Sequence, residues 1–233
     1  MALILSIDTS TTVCSVALHD NANLLVLNEV HLEQAHASRL GVLVDQIKVS
    51  AGIDFGSLNA IAVSSGPGSY TGLRIGVSLA KGLCMSLNIP LISVETLDAM
   101  ALQINKTNFL QALRCPMIDA RRMEVYCKIF SPTSEVVQPV QAKVIDENSF
   151  DDLLKTQQVI FFGNGAVKCK DTIKPANAIF VEGINPSARE IGVLAFEKFK
   201  LNQIEDTVHF EPHYLKEFMI KAPAKTALNE ITS

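Results

Sequence analysis

The sequence predicts an α/β protein of two lobes, each a mixed sheet with helices. Three observations lead to that class. Short apolar runs alternate with segments of helical period, three strand-like runs precede any helix, and a similar hairpin opens again soon after residue 108. With 233 residues, 48% of them hydrophobic, the chain can bury one large core or two smaller ones.

Residues 3–7 are continuously apolar, and 14–18 alternate small or polar with apolar side chains after the polar turn Asp8-Thr9-Ser10-Thr11-Thr12. Together they read as a β-hairpin. The turn-forming stretch Asp20-Asn21-Ala22-Asn23 introduces a third strand over 24–30. From Glu33 to Ala51, the residues Leu40, Leu43, Val44, Ile47 and Ala51 recur at helical spacing, and Gly52 supplies a stop. A strand over 60–63, a glycine-rich segment over 66–72, a helix over 73–87, a strand over 90–94 and a helix over 96–104 complete a first lobe expected at 1–108.

The second lobe, expected at 109–215, opens with strands over 115–118 and 125–130 around a turn at 119–123. A strand over 159–162 ends in the turn Gly163-Asn164-Gly165, and Ser187 with Glu190 predicts a capping box that opens a helix to Lys200. Residues 216–233 read as a flexible tail.

The formal net charge is −4. The first 108 residues hold 5 Lys/Arg against 8 Asp/Glu, which leaves 15 against 16 for the rest. Neither half is basic, so the molecule as a whole has no excess charge to draw it to phosphate backbones. Five cysteines without CxxC spacing argue against a disulfide framework and for a reducing, cytoplasmic setting. The apolar start is too short for a signal peptide, and no run of 18 apolar residues predicts a membrane helix.

Several motifs could carry chemistry. The loop Gly66-Pro67-Gly68-Ser69-Tyr70-Thr71-Gly72 lies between a strand and a helix, where backbone amides and the helix dipole can hold an anion. It lacks the lysine of a Walker loop, and its other reading is a sharp turn that needs glycine. Asp8 at a strand end could position a metal-bound phosphate, or could close an Asx turn. Asp8, Gly66, Gly68 and Gly72 are thus the candidate phosphate-type site.

Gly72, Gly76, Ala80 and Cys84 fall every fourth residue and place small side chains along one helix face. Such a stripe admits a close neighbour, either a partner helix or the chain's own sheet. His36 would need a second histidine one helical turn on to form a metal pair, and Leu40 stands there instead. His209 and His213 have metal-like spacing, but Pro212 between them favours a turn. No Ser/His/Asp set or acid pair is legible, so no catalytic residue and no metal ligand is assigned.

The segments Ile7-Asp8-Thr9-Ser10, the long loop from Gly66 through Arg74 to Gly76, and Asp119-Ala120-Arg121-Arg122-Met123-Glu124-Val125-Tyr126 resemble the TsaB (YeaZ) family, in the family's order. Gly163-Asn164-Gly165-Ala166 and Pro212-His213-Tyr214-Leu215-Lys216 are similar to its later motifs. The resemblance implies the two-lobed actin-like ATPase (ASKHA) fold. It also implies a non-catalytic subunit that binds a TsaD-like paralogue, with a TsaE-like ATPase, for threonylcarbamoylation of adenosine 37 in tRNAs reading codons that begin with A. Further implications are a homodimer that shares the partner patch, tRNA reached only through the complex, no cofactor of its own and a nucleotide at the TsaD interface. His36, Leu40, Leu43, Tyr70, Arg74, Gly76, Ala80 and Cys84 are the expected partner interface. The rival expectation is an autonomous ATP-dependent transferase or hydrolase of the same fold.

Overall fold

A computed structural model describes residues 1–32, 36–105 and 111–215. The apolar run at the start forms β1 (Leu3–Asp8), which pairs antiparallel with β2 (Val13–Asp20); β2 pairs likewise with β3 (Asn23–His31). On its other edge β1 pairs parallel with β4 (Ala60–Gly66), and β4 with β5 (Leu91–Glu95). The order β3-β2-β1-β4-β5 leaves β1 central and buried throughout.

Alternation along the strands gives this sheet two apolar faces. Leu5, Ile7, Val16, Leu18, Ile61 and Val63 face α1 (His36–Ala51) and α2 (Tyr70–Leu87). The start expected for α1 at Glu33 falls on residues 33–35, outside the described ones. α2 begins three residues before its apolar period does, because Ser69 caps it by accepting from the Gly72 amide at 3.3 Å. Asn88, in the left-handed region at φ 55°, ends it.

The second sheet has the order β10-β9-β6-β7-β8. β6 (Leu113–Asp119) and β7 (Glu124–Phe130) form the expected hairpin, and β9 (Val159–Phe162) pairs parallel with β6. β8 (Val136–Val144) and β10 (Ala178–Val181) are its two edges. Two single-turn helices, α4 (Asp151–Leu154) and α5 (Asn164–Val167), flank β9. All five cysteines are unpaired and buried.

The lobes exchange helices. α3 (Thr96–Asn105) follows the first sheet, yet its Leu97, Met100 and Ile104 pack with Ile118, Ile160 and Phe162 of the second. α6 (Ala188–Lys200) follows the second sheet, yet its Ile191 and Ala195 cover Ile4, Ala62, Ile92 and Val94 of the first. The stretch assigned to the second lobe therefore returns to the first. The boundary expected at 108 and the tail at 216–233 lie outside the described residues.

Two buried cations tie the exchange together. Lys128 on β7 donates to Glu95 at 2.7 Å and to Asp98 at 2.6 Å. Burial disfavours the Lys128 charge, but the two carboxylates outweigh it and hold its pKa above the ordinary lysine value. Arg114 on β6 is fully buried and donates to the carbonyls of Ala101 on α3, at 3.1 Å, and Ser131, at 2.7 Å. The capping box predicted for α6 differs in detail. Ser187 accepts from the Arg189 amide, two residues on, and the Glu190 Oε2 atom is buried without a partner.

Candidate functional site

The site begins where β1 ends. Asp8 is 1% exposed, and its Oδ1 accepts from the Ser10 amide at 2.8 Å and the Ser10 hydroxyl at 2.7 Å. That is the Asx turn. Its Oδ2 is buried without a hydrogen-bond partner, as is the Ser64 hydroxyl of β4. Burial raises the Asp8 carboxyl to about 6, against the pull of the Ser10 bonds and the nearby Ser64 dipole.

The glycine loop closes over this turn. The Ser69 amide donates to the Ser10 carbonyl at 2.6 Å, and the Thr9 hydroxyl donates to the Gly72 carbonyl at 2.8 Å. A Cβ on Gly68 would collide with the Ser10 carbonyl oxygen, and one on Gly72 with that of Thr9. Carbonyl oxygens repel an anion, so Gly68 and Gly72 serve close packing between two chain segments. The phosphate reading of Asp8, Gly66, Gly68 and Gly72 gives way to the turn reading on these contacts.

The interface expectation is corrected by burial as well. Leu40, Leu43, Gly76, Ala80 and Cys84 lie inside the chain, with Leu40, Leu43, Ala80 and Cys84 in the core beneath α1 and α2. Gly76 is pressed on the Thr9 side chain. The small stripe thus meets the chain's own turn and sheet, and cannot also meet a partner. His36 is buried, with Nε2 bonded to the Thr11 carbonyl at 2.6 Å. Tyr70 packs against Tyr214 with the rings tilted by 41° and their centroids 4.8 Å apart, and Arg74 lies exposed over the Tyr70 ring at 4.7 Å.

Stripe reasoning missed the face that α1 and α2 do present outward. Val42 and Val49 on α1 and Met85 on α2 are exposed, whereas Ile75, Leu79 and Leu83 are half-buried against the first-sheet core. Gly41 and Gly82 open on empty space. An apolar excess on the polar side of a helical period was the available signal.

The chain after α6 straps the first lobe. The Glu205 amide donates to the Leu91 carbonyl at 2.9 Å, Lys81 donates to the carbonyls of Val208 and Phe210, and the His213 amide donates to the Ser65 carbonyl at 2.8 Å. His209 bonds Asp206 at 2.6 Å and is the turn residue expected, whereas His213 lies outside any turn, in the extended strap. Between strap and second sheet lies a cleft of about 370 Å³, lined by Gly66, Pro67, Glu95, Val140, Pro212 and Tyr214 among others. Among the described residues no cluster of three His, Cys, Asp or Glu could hold a metal ion.

The second lobe repeats the strand-end acid with different surroundings. The Asp119 Oδ1 accepts from the Arg121 amide at 2.9 Å and pairs with Lys168. Here the turn is open, and Arg121, Arg122 and Met123 are exposed.

The family described as "TsaD: tRNA N6-adenosine threonylcarbamoyltransferase" matches residues 30–224. The chain is 31% identical over 235 residues to the tRNA threonylcarbamoyladenosine biosynthesis protein TsaB of Bacillus subtilis, covering 95% of this chain and 96% of that one. It is similar in structure to YeaZ from Pseudomonas aeruginosa, with TM-score 0.78, 25% identity, and 92% and 100% of the two chains covered. An activator of 2-hydroxyisocaproyl-CoA dehydratase from Clostridium difficile, with bound ADPNP, shares the fold at TM-score 0.52 and 8% identity over 86% and 97% of the chains. The architecture is the two-lobed actin-like α/β fold.

Proposed function

Because the chain belongs to the TsaB (YeaZ) family, we propose that it is a subunit for tRNA threonylcarbamoyladenosine synthesis, holding a TsaD-like transferase and catalysing nothing alone. In this reading the complex, joined by a TsaE-like ATPase in the cytoplasm, modifies adenosine 37 of tRNAs that read codons beginning with A. The two lobes of the division at 1–108 and 109–215 act as one body in it. The chain has no cofactor of its own, and a nucleotide belongs to the interface shared with the TsaD-like partner.

The observation that carries the non-catalytic part is His36. Its Nε2 is engaged with the Thr11 carbonyl, and one turn on stands Leu40, itself buried. A metal pair of the kind a catalytic relative needs cannot form there. The outward face of α1 and α2, with Val42, Val49, Met85 and the open Gly41 and Gly82, is the surface we assign to the partner and to self-association.

Reconstitution tests both parts. Mixing the chain with a TsaD-like protein, a TsaE-like ATPase, ATP, threonylcarbamoyl adenylate as group donor and tRNA should give modified tRNA and free AMP, and leaving this chain out should abolish it. Val49→Glu with Met85→Glu should weaken association at least ten-fold while leaving the melting temperature of the isolated chain within a few degrees. Nucleotide turnover by the purified chain alone would instead support the autonomous enzyme.

A further inference from the structure

The turn between β6 and β7 holds an arrangement that nothing in the core requires. Arg121 and Arg122 both sit in the left-handed region, at φ 66° and 47°. That conformation is unfavourable for any residue with a Cβ and is ordinarily given to glycine or asparagine. Two consecutive arginines there are a backbone outlier of the kind found where side chains have a task.

Several backbone groups of the tip are bonded from within. The Ala120 amide donates to the Glu124 carbonyl at 3.1 Å, and the Ile145 amide to the Met123 carbonyl at 2.8 Å. Lys168 reaches in from the end of α5 and donates to the carbonyls of Arg122 at 2.6 Å and Glu124 at 2.7 Å, besides pairing with Asp119. Lys168 thereby both fixes the tip and neutralises its nearest acid. The two guanidinium groups are exposed and make no ion pair among the described residues.

We propose that this rigid tip, Arg121 with Arg122, contacts the phosphodiester backbone of tRNA within the assembled complex. A protein of net charge −4 has no general attraction for nucleic acid, so a local pair of forked, permanently charged donors is what can supply it. The tip is exposed, which leaves both guanidinium groups accessible to a polyanion. That tRNA supplies the backbone rests on the family reading above.

The test is binding of unmodified tRNA to the full chain, alone and with its TsaD-like partner, across a salt series from about 50 to 200 mM. Arg121→Asn with Arg122→Gly suits the turn better than the native pair, so its melting temperature should not fall. Its affinity should drop by about ten-fold or more at low salt, and the slope of log affinity against log salt should shrink by roughly 1.4–1.8. Arg121→Lys with Arg122→Lys should keep most of that slope. An Asn-Gly variant with native affinity and slope overturns the proposal, and so does a wild-type complex whose tRNA binding does not depend on salt. Failure to bind the TsaD-like partner would count against the family reading alone; the tip is then judged on the chain's own tRNA binding.

Discussion

Gly192 of α6 rests directly on the imidazole ring of His19 in β2. A Cβ at position 192 would overlap the ring, which is fully buried and has no free side to turn to. Helix propensity alone favours alanine over glycine by up to ~1 kcal/mol. Overpacking of this contact costs more, ~1–3 kcal/mol, so Gly192→Ala should lower the melting temperature. Gly41→Ala on α1, where nothing lies within 4 Å, should raise it. Thermal melts of the two variants side by side test the contact, and a stabilised Gly192→Ala would disprove it.

Ala80 provides the second prediction. It is fully buried beneath α2 in the core of the first sheet. Ala80→Phe should lose ~1–3 kcal/mol of stability, a fall of roughly 2–12 °C for a chain of this size. If the variant melted like the wild type, the small stripe would belong on the outside after all.

Asp8 gives stability a pH dependence with a definite sign. The folded carboxyl keeps its proton up to about 6 because it is buried, whereas an unfolded aspartate releases it near ~4. The folded state therefore binds more protons in that window, and stability falls as pH rises through it, by up to ~3 kcal/mol. Asp8→Asn keeps an oxygen for the two Ser10 donors and removes the charge. The variant should be more stable than wild type at pH 8, with the gap closing towards pH 4. Denaturant titrations at both values measure this, and an equal gap at both would mean that Asp8 ionises freely.

The first lobe was legible because its periods are long and its stops are strong. Residues 3–7 and the apolar positions of α1 leave little choice of element. β8 escaped because it is an edge strand with no buried residue, whose polar side chains around Pro139 give no apolar run to read. β10 is only four residues long. The glycine loop was visible as a special turn, but its role depends on the carbonyls of Thr9 and Ser10, about sixty residues away in the chain. Spacing along one helix likewise records that Gly76 and Ala80 need a close neighbour without saying which one. The Lys168 clamp is invisible to periodicity for the same reason, since it exists only once distant segments meet.

The exchange of α3 and α6 makes the two lobes interlocked, like hands that each hold the other's wrist. Cutting the chain near residue 108 would strip Ile4, Ala62, Ile92 and Val94 of their cover and leave α3 without the sheet it packs on. Neither fragment should persist alone, and the whole should melt in a single calorimetric transition whose van't Hoff and measured enthalpies agree. Whatever rocking the halves undergo about the cleft is confined to motions that keep Lys128 within reach of Glu95 and Asp98.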